Sequence, residues 1–241
     1  MDFFTHMKKN KFTRESLILI ILVWVLLSTL MGLATTNYYN LYYQNQLDSS
    51  KYIIEPYLRD FEEVLTNIKL FVQESDVVTQ SEYRNFCNGI CTDSDAVQFV
   101  AYAPLGIVSY VNPENMEDTY LGTDILERFS QTELSKFQYA MEHDEMFVSY
   151  ETNNQIELYQ TITEDGSFVG IVYMMLDATV ISAELTDVLS ESELVLYTED
   201  NVFILGDNAV ELDDYNVYEI DLSGVTFFAG VNYYTSYQNQ V

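Results

Sequence analysis

Five hydroxyl-bearing side chains, Tyr102, Tyr110, Tyr159, Thr161 and Tyr173, fall in segments with strand-like character. Their chemistry would be recognition rather than catalysis. An aromatic face stacks on a planar ligand, and a phenol or hydroxyl can both donate and accept. The alternative is ordinary packing, because a tyrosine on a strand more often fills a core than touches a ligand. Cys87 and Cys91, in "CNGIC", are the only cysteines, with Gly89 permitting a tight turn between them. They read either as a small-loop disulfide or as two reduced, half-buried thiols. A zinc site needs more ligands than these two. Glu142, His143, Asp144 and Glu145 form a polar cluster that reads as a solvated helix end. No Gly-x-Ser-x-Gly, His-Glu-x-x-His or nucleotide-binding loop occurs, so the expectation is a non-enzymatic chain without a cofactor.

The elements that must hold these residues are mixed. Ile54, Tyr57, Leu58, Phe61, Leu65, Ile68 and Val72 recur at spacings of three and four, predicting a helix from about 36 to 80 that Pro56 could kink. Its apolar stripe needs a cover, either the following sheet or the same helix in a second chain. Residues 81–90 read as a shorter helix. Residues 97–103 and 107–111 read as strands around the turn Ala103–Gly106, where Pro104 fixes one φ and Gly106 allows a positive one. Pro113 ends strand pairing. Residues 124–145 have helical spacing, and Asp124 suits an N-cap. Strands at 147–150 and 157–162 follow, then the hairpin signal Asp165-Gly166 and the most apolar strand, 168–177. A helix at 179–190, a hairpin of 194–198 with 202–205 around Glu199-Asp200-Asn201, and a strand at 225–233 complete the chain. Helices and antiparallel strands without βα alternation predict an α+β fold.

The formal net charge is −28, yet four of the ten basic residues, and only two of the 38 acids, lie in the first 15 positions. The remaining chain is strongly acidic, which argues against nucleic acid, whose phosphates require Lys and Arg. Charge of this kind keeps an exposed domain soluble. Leu17 to Ala34 is 18 residues without a charge. At about 1.5 Å per residue it reaches roughly the hydrocarbon thickness of a bilayer. The basic residues before it place the N-terminus in the cytoplasm and the rest outside. Gly32-Leu33-Ala34 could instead end a cleaved signal peptide. The tyrosines at 38, 39, 42 and 43 suit the outer interface of a retained anchor better.

Taken in order, "FEEVLTNIKLFVQES", "VQFVAYAPLGIVSYVNPENMEDTYLGTDI" and "ELYQTITEDGSFVGIVYMMLDATVI" resemble the CHASE domain, the cyclase/histidine-kinase-associated sensory extracellular domain. The matching positions are Ala103, Pro104, Gly106, Ile107, Val108, Pro113, Asn115, Leu121, Gly122 and Asp124. A second set comprises Asp165, Gly166, Phe168 and Gly170. The resemblance spans about 61–185, with Thr161-Ile162-Thr163 standing where many members carry a proline.

The resemblance implies a membrane-anchored sensor whose stalk helix carries PAS-like lobes, two in number. The expected organisation is a cytoplasmic tail at 1–16, a transmembrane helix at 17–34 and a stalk at 35–80. A membrane-distal CHASE/PAS-like lobe at 81–185 and a membrane-proximal lobe at 186–241 follow. A small molecule of unknown identity would bind between a sheet face and its covering loop, lined by Tyr102, Tyr110, Tyr159, Thr161 and Tyr173. Its binding would be relayed through the stalk of a homodimer to a cyclase, diguanylate cyclase or kinase domain beyond this sequence. The competing expectation is a stand-alone membrane-anchored accessory protein without ligand or output domain.

Overall fold

A computed structural model describes residues 11–75, 77–91, 94–151, 154–189, 193–199, 203–206, 215–222 and 225–232. The chain divides into two compact units, Met1–Ser49 and Ser50–Val241. The described part of the first is helical. It belongs to helix α1, Lys11–Gln73, whose segment Ser16–Tyr39 is long and apolar enough to cross a membrane and has none of its surface buried. Pro56 lies inside α1 without ending it. The basic residues Lys8 and Lys9, the turn residues Asp200 and Asn201, and Tyr233 with the chain after it lie outside the described residues.

In the second unit the fold is α+β. Helix α2, Gln80–Ile90, starts at a capping box in which Thr79 accepts from the Glu82 amide and Glu82 returns the bond. Strands β1 (Val97–Pro104), β2 (Tyr110–Asn112), β3 (Phe147–Glu151), β4 (Gln155–Glu164) and β5 (Ser167–Asp177) form an antiparallel sheet in the order β2-β1-β5-β4-β3. A 3₁₀ turn at Glu114–Met116, the helical turn Glu117–Tyr120 and a second 3₁₀ turn at Leu126–Arg128 cross over to helix α3, Gln131–His143. The helical reading of 124–145 is thus corrected. Ser130 opens α3 with a capping box to Glu133, and the chain before it is a separate turn. Asp124 accepts from the Leu126 amide at 2.9 Å, but the residue at the N-cap of the 3₁₀ turn is Ile125. Helix α4, Ala178–Leu189, leads to a second antiparallel sheet of β6 (Glu193–Thr198), β7 (Phe203–Leu205), β8 (Asn216–Leu222) and β9 (Val225–Asn232), ordered β7-β6-β9-β8. Strand β8 was not legible in the sequence. The two sheets are consistent with two PAS-like lobes.

The first sheet has two covered faces: β4 and β5 are buried at both parities, and β5 is apolar at both. Val172, Met174 and Leu176 join the α1 stripe of Ile54, Leu58, Phe61, Leu65, Ile68 and Val72 in one core, which continues into the second sheet. Ile171, Tyr173 and Met175 face the other way, into a smaller core with Phe99, Ile125, Phe137 and Phe147. Gly170 allows the two strands to close up. A Cβ there would stand 2.8 Å from the Tyr102 ring and 2.9 Å from the Ala103 carbonyl.

This packing makes Ile68 and Leu70 a matched pair on α1, fully buried and half-exposed respectively. Urea denaturation followed by circular dichroism should show Ile68→Ala losing about 3 kcal/mol. Leu70→Ala should lose under about 0.5 kcal/mol. Similar losses at both positions would contradict the packing of α1 on the sheet.

Candidate functional site

The smaller core of the first sheet contains a polar group that packing alone does not require. Alternation along β4 puts Glu157, Tyr159 and Thr161 on the same side as Tyr173 of β5, whose ring stacks on Tyr159 at 5.3 Å. Phe129 meets Tyr159 edge-on at 5.2 Å, and Phe99 meets Tyr173 edge-on at 5.2 Å. Tyr120 leans on Phe99 from the covering segment at 4.2 Å.

Into this aromatic enclosure the 3₁₀ turn before α3 sends Arg128. Its Nη2 lies 2.7 Å from Glu157 Oε1, and the Glu157 side chain is only 3% exposed. Tyr159 donates its hydroxyl hydrogen to the other Glu157 oxygen. Burial disfavours the Arg128 charge, but Glu157 outweighs it, so the guanidinium is held above its ordinary pKa. Burial, and then the Glu157 carboxylate, raise the Tyr159 phenol. Burial also raises Tyr173, against the pull of the Arg128 guanidinium near it. The Tyr173 hydroxyl makes no hydrogen bond of normal geometry, and buried Thr161 Oγ1 makes none either. A ligand with donors and acceptors would satisfy both.

The five residues expected from the sequence fall into two groups. Tyr159, Thr161 and Tyr173 share the Arg128 side of the sheet. Tyr102 and Tyr110 lie on the α1 side, stacked at 5.8 Å with Tyr83 next in line at 5.7 Å. Tyr110 donates to the Val78 carbonyl at 2.8 Å, which ties β2 to the segment before α2. The two groups therefore do not surround one space. Cys87 and Cys91 are both free thiols, Cys87 fully buried. Among the described residues, no group of three or more His, Cys, Asp or Glu is arranged to hold a metal.

Sequence reasoning missed Arg128 and Glu157. The available signals were a carboxylate at an inward position of an apolar strand, and a basic residue in a strongly acidic region.

No protein-family model matches the chain, and no curated protein matches it. Solved structures do. An extracellular ligand-binding receptor from Desulfohalobium retbaense DSM5692 superposes with a TM-score of 0.59 at 12% identity, over 77% of this chain and 39% of that one. The ligand-binding domain of the Pseudomonas aeruginosa PAO1 amino-acid chemoreceptor PctC, in complex with GABA, gives 0.56 at 12% identity over 78% of this chain and 97% of that one. The ligand-binding domain of the Pseudomonas fluorescens chemoreceptor CtaA, in complex with L-alanine, gives 0.54 at 13% identity over 78% and 94%. This chain thus spans about two fifths of the first and nearly all of the other two. At these identities the shared property is the fold. The fold is one found in extracellular sensory domains, and these neighbours do not single out CHASE among them.

Two stability measurements follow from the buried polar group. Arg128→Met strands Glu157 without its cation and should cost about 3 kcal/mol, with Glu157→Gln in the same background recovering part of it. The phenols of Tyr159 and Tyr173 sit above the ordinary value of 10.0 in the folded chain. The folded state therefore holds protons that the unfolded state releases, so this stability is complete below pH 10 and declines as pH rises beyond it. Tyr173→Phe should flatten the decline in chemical denaturation between pH 9 and 11. An unchanged slope would show that Tyr173 titrates alike in both states.

Proposed function

We propose that this chain is the extracellular ligand-sensing part of a membrane-anchored signalling receptor of CHASE-like type. Its small-molecule site lies around Arg128, Glu157, Tyr159, Thr161 and Tyr173. The observation that carries this reading is the Arg128–Glu157 pair, enclosed by aromatic rings beside an unpaired Thr161 hydroxyl. Apolar residues of similar volume would often stabilise such a core at least as well, so a buried pair of charges points to recognition. The covering segment at 113–129 supplies Arg128, and a ligand entering beneath it would exchange contacts with Glu157. One charge of each sign suits a small zwitterion. The PctC and CtaA domains of similar fold hold GABA and L-alanine, which supports this class.

In this reading Leu17–Ala34 anchors the chain, with the N-terminus in the cytoplasm and both sheets outside. The first sheet forms the membrane-distal lobe. Helix α1 carries the response, because its buried stripe packs on the reverse face of the ligand-bearing sheet. Displacement of that sheet would bear directly on α1.

The test uses the full chain in lipid nanodiscs and a panel of the L-amino acids and GABA, followed by melting temperature and then calorimetry. At least one member should raise the melting temperature saturably, as ligand at a hundredfold its dissociation constant adds about 2.7 kcal/mol. Tyr173→Phe should weaken that member about tenfold without lowering the ligand-free melting temperature. A panel without any shift at millimolar concentration would overturn the zwitterion assignment. Unchanged affinity in Tyr173→Phe would remove the site from this face.

A further inference from the structure

Helix α2 carries a row of side chains that the function proposed above does not use. Tyr83, Cys87 and Cys91 recur every four residues and face the core shared with α1. Tyr83 and Cys87 are fully buried, and both cysteines are free thiols. The last turn keeps its helical bond to the end, where the Cys91 amide donates to the Cys87 carbonyl at 2.9 Å.

Helical residues four apart carry Cβ atoms about 5–6 Å from one another. A disulfide requires about 3.8 Å, so closing one here would unwind the end of α2. An ion held between the two sulfurs spans the wider gap. Burial raises both thiols above their ordinary value, so the pair stays protonated until an ion that binds thiolate tightly displaces the protons. Among the described residues, no His, Asp or Glu joins the two sulfurs to make a group of three. Zinc, which takes four ligands, is therefore a poor match. Two soft sulfurs in apolar surroundings favour a soft monovalent ion such as Cu(I).

The Tyr83 hydroxyl points to the same place independently. It lies against the Cys87 sulfur, yet it makes no hydrogen bond of normal geometry. A buried donor without an acceptor is costly. A thiolate at Cys87 would accept from it, and a contact of that kind orients a metal-bound sulfur. Cys91 provides the way in. It is half-buried and lines a cleft of about 440 Å³ between α1 and the end of α2.

We infer that Cys87 and Cys91 form a two-sulfur site for Cu(I), with Tyr83 donating a hydrogen bond to the Cys87 sulfur. Binding exchanges two thiol protons for one ion and involves no oxidation or reduction. The bound ion would fasten the last turn of α2, on the side of the first sheet away from the Arg128 site.

The probe is Cu(I), presented without oxygen as its bicinchoninate complex to the full chain in nanodiscs. Loss of the colour of that complex reads transfer of the ion to the protein. The expected result is uptake of one ion per chain, with X-ray absorption showing two sulfur neighbours. Cys91→Ser, at the half-buried end of the row, should abolish that uptake while the melting temperature is retained. Cys87→Ala should abolish it too. Tyr83→Phe should keep both sulfurs on the ion and weaken its binding about tenfold. Absence of uptake against the competing chelator would overturn the inference. So would uptake that survives Cys91→Ser, which assigns the ion to other side chains. Loss of both thiols to an internal disulfide in air would also overturn it, because the sulfurs would then meet without an ion between them.

Discussion

The first sheet is apolar on both faces, and each face must be taken from water by a different part of the chain. Strand β5 runs Ile171-Val172-Tyr173-Met174-Met175-Leu176 with every side chain buried. Burial of that kind is worth about 1.5–3 kcal/mol for each large apolar residue, so an uncovered face would not be stable. Helix α1 covers one side with its buried stripe from Ile54 to Val72. The segment from Pro113 to Phe129, with α3, covers the other. The arrangement of the first lobe follows from that requirement.

The two covers differ in kind. The α1 stripe lies along one continuous helix and is mainly aliphatic, with Phe61 among its buried residues. The other cover combines short turns with α3, and it packs aromatic rings around a charged pair. Polar groups in a closed core raise its electrostatic stakes, because the low local dielectric strengthens a satisfied pair and penalises an unsatisfied group. The turns before α3 are held by local contacts, such as the Asp124 bond to the Leu126 amide and the antiparallel bridge of Ile107 to Asp124. A cover of this build suits a site, and a cover of helix suits transmission. The division of labour proposed for the lobe rests on this contrast.

Local signals in the chain encode much of this arrangement. Spacings of three and four mark the α1 stripe, and Asp165-Gly166 marks the β4–β5 hairpin. The helix predicted across 124–145 fails at Ser130 and Glu133, whose capping box starts α3 afresh and leaves Leu126–Arg128 as a separate turn. That S-x-x-E pattern is itself a local signal, and it outweighs the helical spacing before it. The candidate site is half legible in the sequence. Tyr159, Thr161 and Tyr173 share a face by strand alternation, whereas Tyr102 and Tyr110 are assigned to the other face by strand register, which single-strand periodicity does not give. Arg128 reaches Glu157 across 29 positions of chain, and no local pattern encodes that meeting.

Hydrogen–deuterium exchange of the full chain in nanodiscs, with and without a saturating mixture of L-amino acids, reads the sheet and both of its covers at once. Peptides covering 113–129 and 157–161 should gain protection, with a smaller change in the α1 segment 54–72 behind the sheet. Unchanged exchange in 113–129 and 157–161, or protection confined to other segments, would contradict a ligand site between the sheet and its turn-built cover.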